Sequence, residues 1–290
     1  MENNNRWKPL KYSLFLSTFL SLLKIIVGLL INSLAIIASA VDNIMDIISS
    51  TFNMLALKKS DEPPDSNHKY GHSKFEPLAT YTQALILIAT SLFIFYRAIV
   101  KIYRDQPVKE INVGVIVMLI SLISTLFLII YLNKKAKEYN SNLLKAETLH
   151  YKTDVFTNIG IIITLIAINF WDIYFLDPII SLAITIYILY EAIKLLLESV
   201  KELTDSEVPF NIEESINSII NEKFYNEVAN FHNLRTRKAG NKIFIDMHIT
   251  LNNNPTITKA HKIVNSIEDK IKGKYKNADV TIHIEPSNKD

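Results

Sequence analysis

Long apolar runs separated by short polar stretches fill the chain as far as about residue 200, and shorter, mixed patterns follow. Windows of about 20 apolar residues, the length that crosses a hydrocarbon layer as a helix, fall near 10–30, 33–57, 76–103, 111–133, 143–169 and 175–198. Beyond Leu203 the elements shorten. Residues 211–220 repeat apolar positions at helical spacing. Residues 228–237 and 242–251 read as strands joined by an Ala239-Gly240-Asn241 turn, and 279–285 as a final strand. Between the last two strands, 256–275 reads as a helix with Thr256 or Thr258 available as its cap. The order α-β-β-α-β predicts a small open-faced α+β sandwich. The expected fold class is thus an α-helical membrane protein with six transmembrane helices, followed by a small α+β domain. The expected division is 1–204 and 205–290.

Charge orients this arrangement. Arg6, Lys8 and Lys11 at the N-terminus share one side with Lys58, Lys59, Lys69 and Lys74 of the second loop and Lys134, Lys135, Lys137 and Lys145 of the fourth. The opposite side receives only Lys101, Arg104 and Lys109. By the positive-inside rule both termini face the cytoplasm. Trp171, Tyr174 and Phe175 fit an aromatic belt at the outer surface. The first apolar stretch is too long for a signal peptide and is read as a retained span.

Composition narrows the chemistry. Mean hydropathy is only +0.18 although 49% of residues are hydrophobic, because the apolar residues are concentrated in one part of the chain. Net charge is +2 and the basic residues are scattered, so nucleic acid is not an expected partner. The chain has no cysteine, so a metal site here must be built from His, Asp and Glu.

Two stretches place such residues where lipid disfavours them. Asp42 and Asp46 stand four apart in the second window, and His150 and Asp154 four apart in the fifth. That spacing puts each pair on one helix face, about 6 Å apart along the axis. An ionised carboxylate at membrane depth costs at least about 2.5 kcal/mol, so the acids need a stabilising partner, and a divalent cation supplies one. Together the pairs offer four ligands, the tetrahedral number of zinc. Other charges in the spans, Lys24, Arg97 and Glu191, are read as reaching an interface by snorkelling or helix extension. In the second loop, Asp65, His68 and His72 form either a metal site or a solvated turn with incidental histidines. In the tail, His283 and Glu285 share a strand face, while His232, His248 and His261 are either their partners or isolated surface histidines.

In combination these motifs resemble the cation diffusion facilitator family. They are Asp42-x-x-x-Asp46, Asp65-x-x-His68-x-Tyr70-Gly71-His72-x-Lys74-x-Glu76, His150-Tyr151-x-x-Asp154 and His232-x-Leu-Arg235-x-Arg237, in order over nearly the whole chain. The resemblance is nearest to the bacterial zinc, cadmium and ferrous iron exporters. It implies a homodimer in the bacterial inner membrane, with a transport domain over 1–204 and a cytoplasmic, metallochaperone-like metal-binding and dimerisation domain over 205–290. It implies that Asp42, Asp46, His150 and Asp154 are the transport site, that Asp65, His68 and His72 are a loop site, and that His232, His248, His261, His283 and Glu285 are a cytoplasmic metal cluster. Aspartate is common in the family where Glu285 stands here. Lys74 and Asp205 match positions that pair between the domains.

Metal ligands bind deprotonated, so each ion bound displaces protons. The expected activity is efflux of Zn2+ in exchange for H+, with Cd2+, Fe2+ and Co2+ as alternative substrates and Zn2+ also a regulatory ligand. An intramembrane metalloenzyme is disfavoured because no His-Glu-x-x-His run occurs and four protein ligands leave no open position for water. A non-transporting sensor or scaffold has no need of four costly polar groups in lipid.

Overall fold

The computed structural model describes residues 6–30, 34–102, 112–171, 176–207, 211–275 and 277–287. Within its helices the side chains of Asp42, Arg97 and Trp171 lie outside the described residues, as do Tyr174 and Phe175 and the basic loop residues Arg104 and Lys109. The chain divides into two compact units, 1–200 and 201–290.

The first unit consists of long helices: α1 (Lys8–Leu30), α2 (Leu34–Ser60), α3 (Phe75–Ile102), α4 (Asn112–Glu138), α5 (Asn142–Trp171) and α6 (Leu176–Leu203), the last ending just inside the second unit. Helices satisfy every backbone polar group internally, which is the requirement for crossing lipid. Among the described residues, Lys8–Val27, Phe75–Val100 and Leu119–Glu138 are long and apolar enough to span a membrane. Helix starts follow backbone chemistry. Pro9, Pro77 and Pro178 each stand in a first turn, where their missing N–H costs nothing. The turn between α4 and α5 closes through Asn140 in the left-handed region (φ 47°), with the Ser141 hydroxyl accepting from the Leu144 N–H, 3.3 Å away.

Small and apolar residues bring the helices together. Ala84 and Leu87 of α3 pack with Ala146 and Leu149 of α5 and with Ala192 and Leu195 of α6. At one end, buried Arg6 donates to Asp61 from Nε (2.8 Å) and to Glu76 from Nη1 (2.6 Å), and Glu76 also accepts from the Ser141 hydroxyl. This joins the chain before α1 to the end of α2 and the beginnings of α3 and α5. Burial pushes the Asp61 carboxyl above its ordinary range, against the opposing influence of the Arg6 guanidinium.

The second unit runs α7 (Asn211–Lys223), β1 (Val228–Ala239), β2 (Lys242–Leu251), α8 (Ile257–Lys274) and β3 (Ala278–Glu285). Its sheet order is β1-β2-β3, with β1 and β2 antiparallel and β2 and β3 parallel. The tight β1–β2 turn uses Gly240 at φ 59°, whereas the parallel pair needs the α8 crossover. Ile212, Ile216 and Ile220 of α7 and Ala260, Val264, Ile267 and Ile271 of α8 cover one sheet face. That face consists of Ile245, Met247, Ile249, Leu251 and Val280. Thr256 is the N-cap of α8, but its side chain makes no capping bond; its carbonyl accepts from the Ala260 N–H at 2.9 Å.

Strand β1 carries a bulge. His232 pairs with His248 and Arg235 with Asp246, so β1 has one more residue between the pairs than β2, and Asn233 takes φ 51° there. The bulge keeps His232, Arg235 and Arg237 on the face opposite the helices. Arg237 stacks over the Phe244 ring at 4.3 Å and donates to Asp205 at 3.1 Å. Lys238 donates to Glu202 at 2.8 Å.

Candidate metal centre

Three groups of His and carboxylate side chains each place a ligand atom from every member within 4.8 Å of the others. The first is Asp46, His150 and Asp154, where α2 meets α5. His150 Nε2 lies 2.8 Å from Asp46 Oδ1, and Asp154 follows His150 by one helical turn. The Asp42 position is one turn before Asp46 on α2, but its side chain lies outside the described residues.

The surroundings of this group correct one expectation. Lys24 is buried at 7% exposure rather than extended to an interface, and its Nζ donates to Asn43 Oδ1 at 2.6 Å. The Asn43 amide then donates to Asp46 Oδ2 at 3.0 Å. The ammonium thereby fixes which end of the Asn43 amide faces the carboxylate. Glu191 is half-buried on α6. Glu147, three residues before His150, is fully buried and accepts from the Ser50 hydroxyl and from Asn53 Nδ2 (2.7 Å). The Tyr151 hydroxyl is 2.8 Å from that of Ser17 and 3.2 Å from that of Ser50. Of these neighbours, Ser17, Asn43, Ser50, Asn53 and Glu147 were not singled out by spacing. For Glu147 the available signal was its place inside the fifth apolar window, one turn from His150.

The second group is Asp65, His68 and His72. Asp65 Oδ1 accepts from the backbone N–H of His68 (2.6 Å) and of Asn67 (2.8 Å), and the His68 bond is the main reason its carboxyl sits below the ordinary range. Gly71, at φ 83°, turns the chain so that the His72 ring comes against that of His68, with centroids 4.4 Å apart. His72 is 2% exposed and its Nε2 is 3.3 Å from Asp65 Oδ2, yet neither ring nitrogen has a hydrogen bond among the described residues. A buried imidazole with both nitrogens unsatisfied is costly unless a ligand completes it.

The third group, His232, His248 and Glu285, is made by strand register. His232 pairs with His248 across β1–β2, and His248 with His283 across β2–β3, which sets three imidazoles in a row. Ring centroids are 5.5 Å apart for the first pair and 4.7 Å for the second. Glu285 reaches His248 Nδ1 at 2.9 Å and His232 Nε2 at 3.2 Å. Its carboxyl is held below the ordinary range, first by the His248 contact and further by the neighbouring histidines. His261 lies elsewhere, exposed on α8, with Nε2 3.3 Å from the Asn265 amide nitrogen.

Comparison with known proteins follows this geometry. Residues 10–204 match the cation efflux transmembrane domain, and residues 208–287 match the cation efflux protein cytoplasmic domain. The chain is 33% identical over 272 residues to the cation-efflux pump FieF of Klebsiella pneumoniae subsp. pneumoniae, covering 94% of this chain and 90% of the relative. It is 32% identical over 289 residues to protein p34 of Rickettsia prowazekii, covering 98% and 95% respectively. The metal-bound C-terminal domain of the CzcD transporter from Thermotoga maritima is 32% identical, with 28% of this chain and 93% of that one covered and a TM-score of 0.25. With both halves matched in order, the chain belongs to the cation diffusion facilitator family of cation-efflux transporters, multi-pass membrane proteins that move cations rather than transform them.

Proposed function

We propose that this transporter is a Zn2+/H+ antiporter that exports zinc from the cytoplasm by alternating access. The observation that carries the reading is the convergence of Asp46, His150 and Asp154 from two helices of the membrane unit, where carboxylates and a histidine are otherwise expensive. A histidine among oxygen ligands suits zinc and its borderline neighbours better than manganese or magnesium. Asp42, on the same face of α2, completes a tetrahedral set. Each ligand must be deprotonated to bind, so loading releases protons and unloading recovers them. Rocking of α2 against α5 then presents the set to either side of the membrane.

Six transmembrane spans with cytoplasmic termini in a bacterial inner membrane, a transport domain over 1–204 and a metal-binding, dimerising domain over 205–290 complete the reading. The lysine distribution and the family match support it. Asp65, His68 and His72 act as a loop site, supported by the unsatisfied His72 imidazole. The row of His232, His248 and His283 with Glu285 holds regulatory zinc, and His261 contributes in the homodimer.

The deciding experiment loads the purified protein into proteoliposomes containing a pH-sensitive dye and adds divalent metals in turn. Zinc entry accompanied by an opposite proton movement is expected. Zinc entry with no pH change overturns antiport. Movement of Fe2+, Co2+ or Cd2+ in preference to zinc transfers the same mechanism to that substrate.

A further inference from the structure

Three helices of the membrane unit carry the same polar stripe, and only part of it belongs to the metal cluster. On α2 it is Asp46, Ser50 and Asn53, at i, i+4 and i+7, with Ser50 and Asn53 fully buried. On α5 it is Asp154, His150 and Glu147, descending by the same steps, with Glu147 fully buried. On α3 it is Glu76, Thr80 and Gln83, exposed by 1%, 0% and 1%. Helical spacing of this kind puts each set on one face. The stripes meet between the cluster and the helix ends joined by Arg6, about 6 Å, or one turn, from Asp46.

Where they meet, oxygens predominate. Glu147 contacts the Ser50 hydroxyl through one oxygen, and through the other accepts from Asn53 Nδ2 at 2.7 Å. The same Nδ2 lies 3.3 Å from Gln83 Oε1, which also accepts from Ser49 at 2.8 Å. One amide nitrogen therefore sits between two oxygen acceptors on different helices. Asn53 Oδ1, in a side chain with no exposure, has no hydrogen-bond partner among the described residues. Nor is any lysine or arginine ion-paired with Glu147 among them. A buried carboxylate with hydrogen-bond donors but no lysine or arginine partner, beside an unsatisfied amide oxygen, is expensive to maintain. A cation passing between them would satisfy both.

We propose that Glu147, with Ser50, Asn53 and Gln83, is a transit station for a divalent cation, occupied between the helix ends near Arg6 and Glu76 and the Asp46–His150–Asp154 cluster. Its donors are oxygens only, so it holds a zinc-like ion less tightly than a histidine-containing set. Weak binding is what a station needs: favourable enough to enter, not enough to retain. The proposal rests on the transport-site reading above.

The test uses the full-length protein in proteoliposomes, with zinc alone as probe. Glu147→Gln removes the charge and keeps the size. It is expected to lower the initial rate of zinc transport about tenfold, roughly one decade of barrier, while equilibrium dialysis finds the same number of tightly bound zinc ions. Glu147→Asp restores most of the rate. Asn53→Asp, which adds charge to the station, lowers the zinc concentration for half-maximal rate and slows turnover. A wild-type rate in Glu147→Gln overturns the station, as does an unchanged half-maximal concentration in Asn53→Asp. Loss of bound zinc from folded Glu147→Gln overturns it too, because Glu147 then belongs to the cluster. An unchanged rate with altered protons per zinc makes Glu147 a proton carrier instead. Asp46→Ala is dialysed alongside: full zinc retention there sinks the cluster reading itself, whatever Glu147 does.

Discussion

Two clusters of histidine and carboxylate are built here on different secondary structures, and their surroundings differ as much as their scaffolds. In the membrane unit the Asp46 and His150 side chains are 8% and 19% exposed, and they come from separate helices. In the tail the side chains of His232, His248 and Glu285 are 37%, 30% and 35% exposed, and they are fixed by neighbouring strands of one sheet. The helical cluster depends on how α2 packs on α5, so a small movement of either changes its ligand geometry. The sheet cluster is tied to backbone hydrogen bonds that a rocking motion leaves intact. A site that must release its ion fits the first construction, and one that must report occupancy fits the second.

The comparison can be broken at its strongest point first. Asp46→Ala is expected to abolish zinc-driven proton flux in proteoliposomes while tail zinc binding persists; loss of both would mean that the clusters are not independent. Next in size, Arg6→Ala leaves Asp61 and Glu76 buried without their cation. Breaking such a pair costs about 3–5 kcal/mol, so denaturant unfolding should shift for the helical unit and not for the tail. A uniform shift of both would show that the units unfold together.

His248→Ala should weaken zinc binding by the tail by at least the roughly 10–100-fold that losing a mere hydrogen-bond partner of a metal ligand costs. Maximal transport should be retained and its activation by zinc lost, read from flux against zinc concentration. The smallest effect concerns acid. The Glu285 carboxyl sits lower in the folded chain than in the unfolded one, so its stabilisation is complete above the ordinary carboxylate value, about pH 4.3. It is lost as pH falls through the lowered folded value. Glu285→Gln should therefore flatten the acid side of the tail's unfolding profile, and parallel curves would remove the histidine–carboxylate coupling.

The helices were legible because a membrane span must be about 20 apolar residues long, and the tail's elements because Ile212, Ile216 and Ile220 keep one period and Ile245, Met247 and Ile249 another. Asp46, His150 and Asp154 could be picked out because spacings of four mark one helix face, and the structure places these three together. The row His232, His248 and His283 was named only through the family resemblance and not from spacing, since its members are distant in sequence and register makes them neighbours, while His261, named with them, stands apart on α8. Lys24 was misread for a related reason: snorkelling is the default for a lysine in lipid, and its partner Asn43 stands on another helix. Glu147 escaped because its contacts come from α2.

The bulge at Asn233 makes the facing of β1 depend on backbone conformation in a way that no single side chain does. His232 and Arg235 are an odd number of residues apart, and successive strand residues alternate faces, so straightening the bulge without removing a residue would send either His232 or the pair Arg235 and Arg237 to the isoleucine-lined side of the sheet. In natural or engineered variants, then, substitutions at this strand should be graded by which contact they remove. A β-branched residue in place of Asn233, which resists a φ of 51°, should be treated as a threat to the whole face.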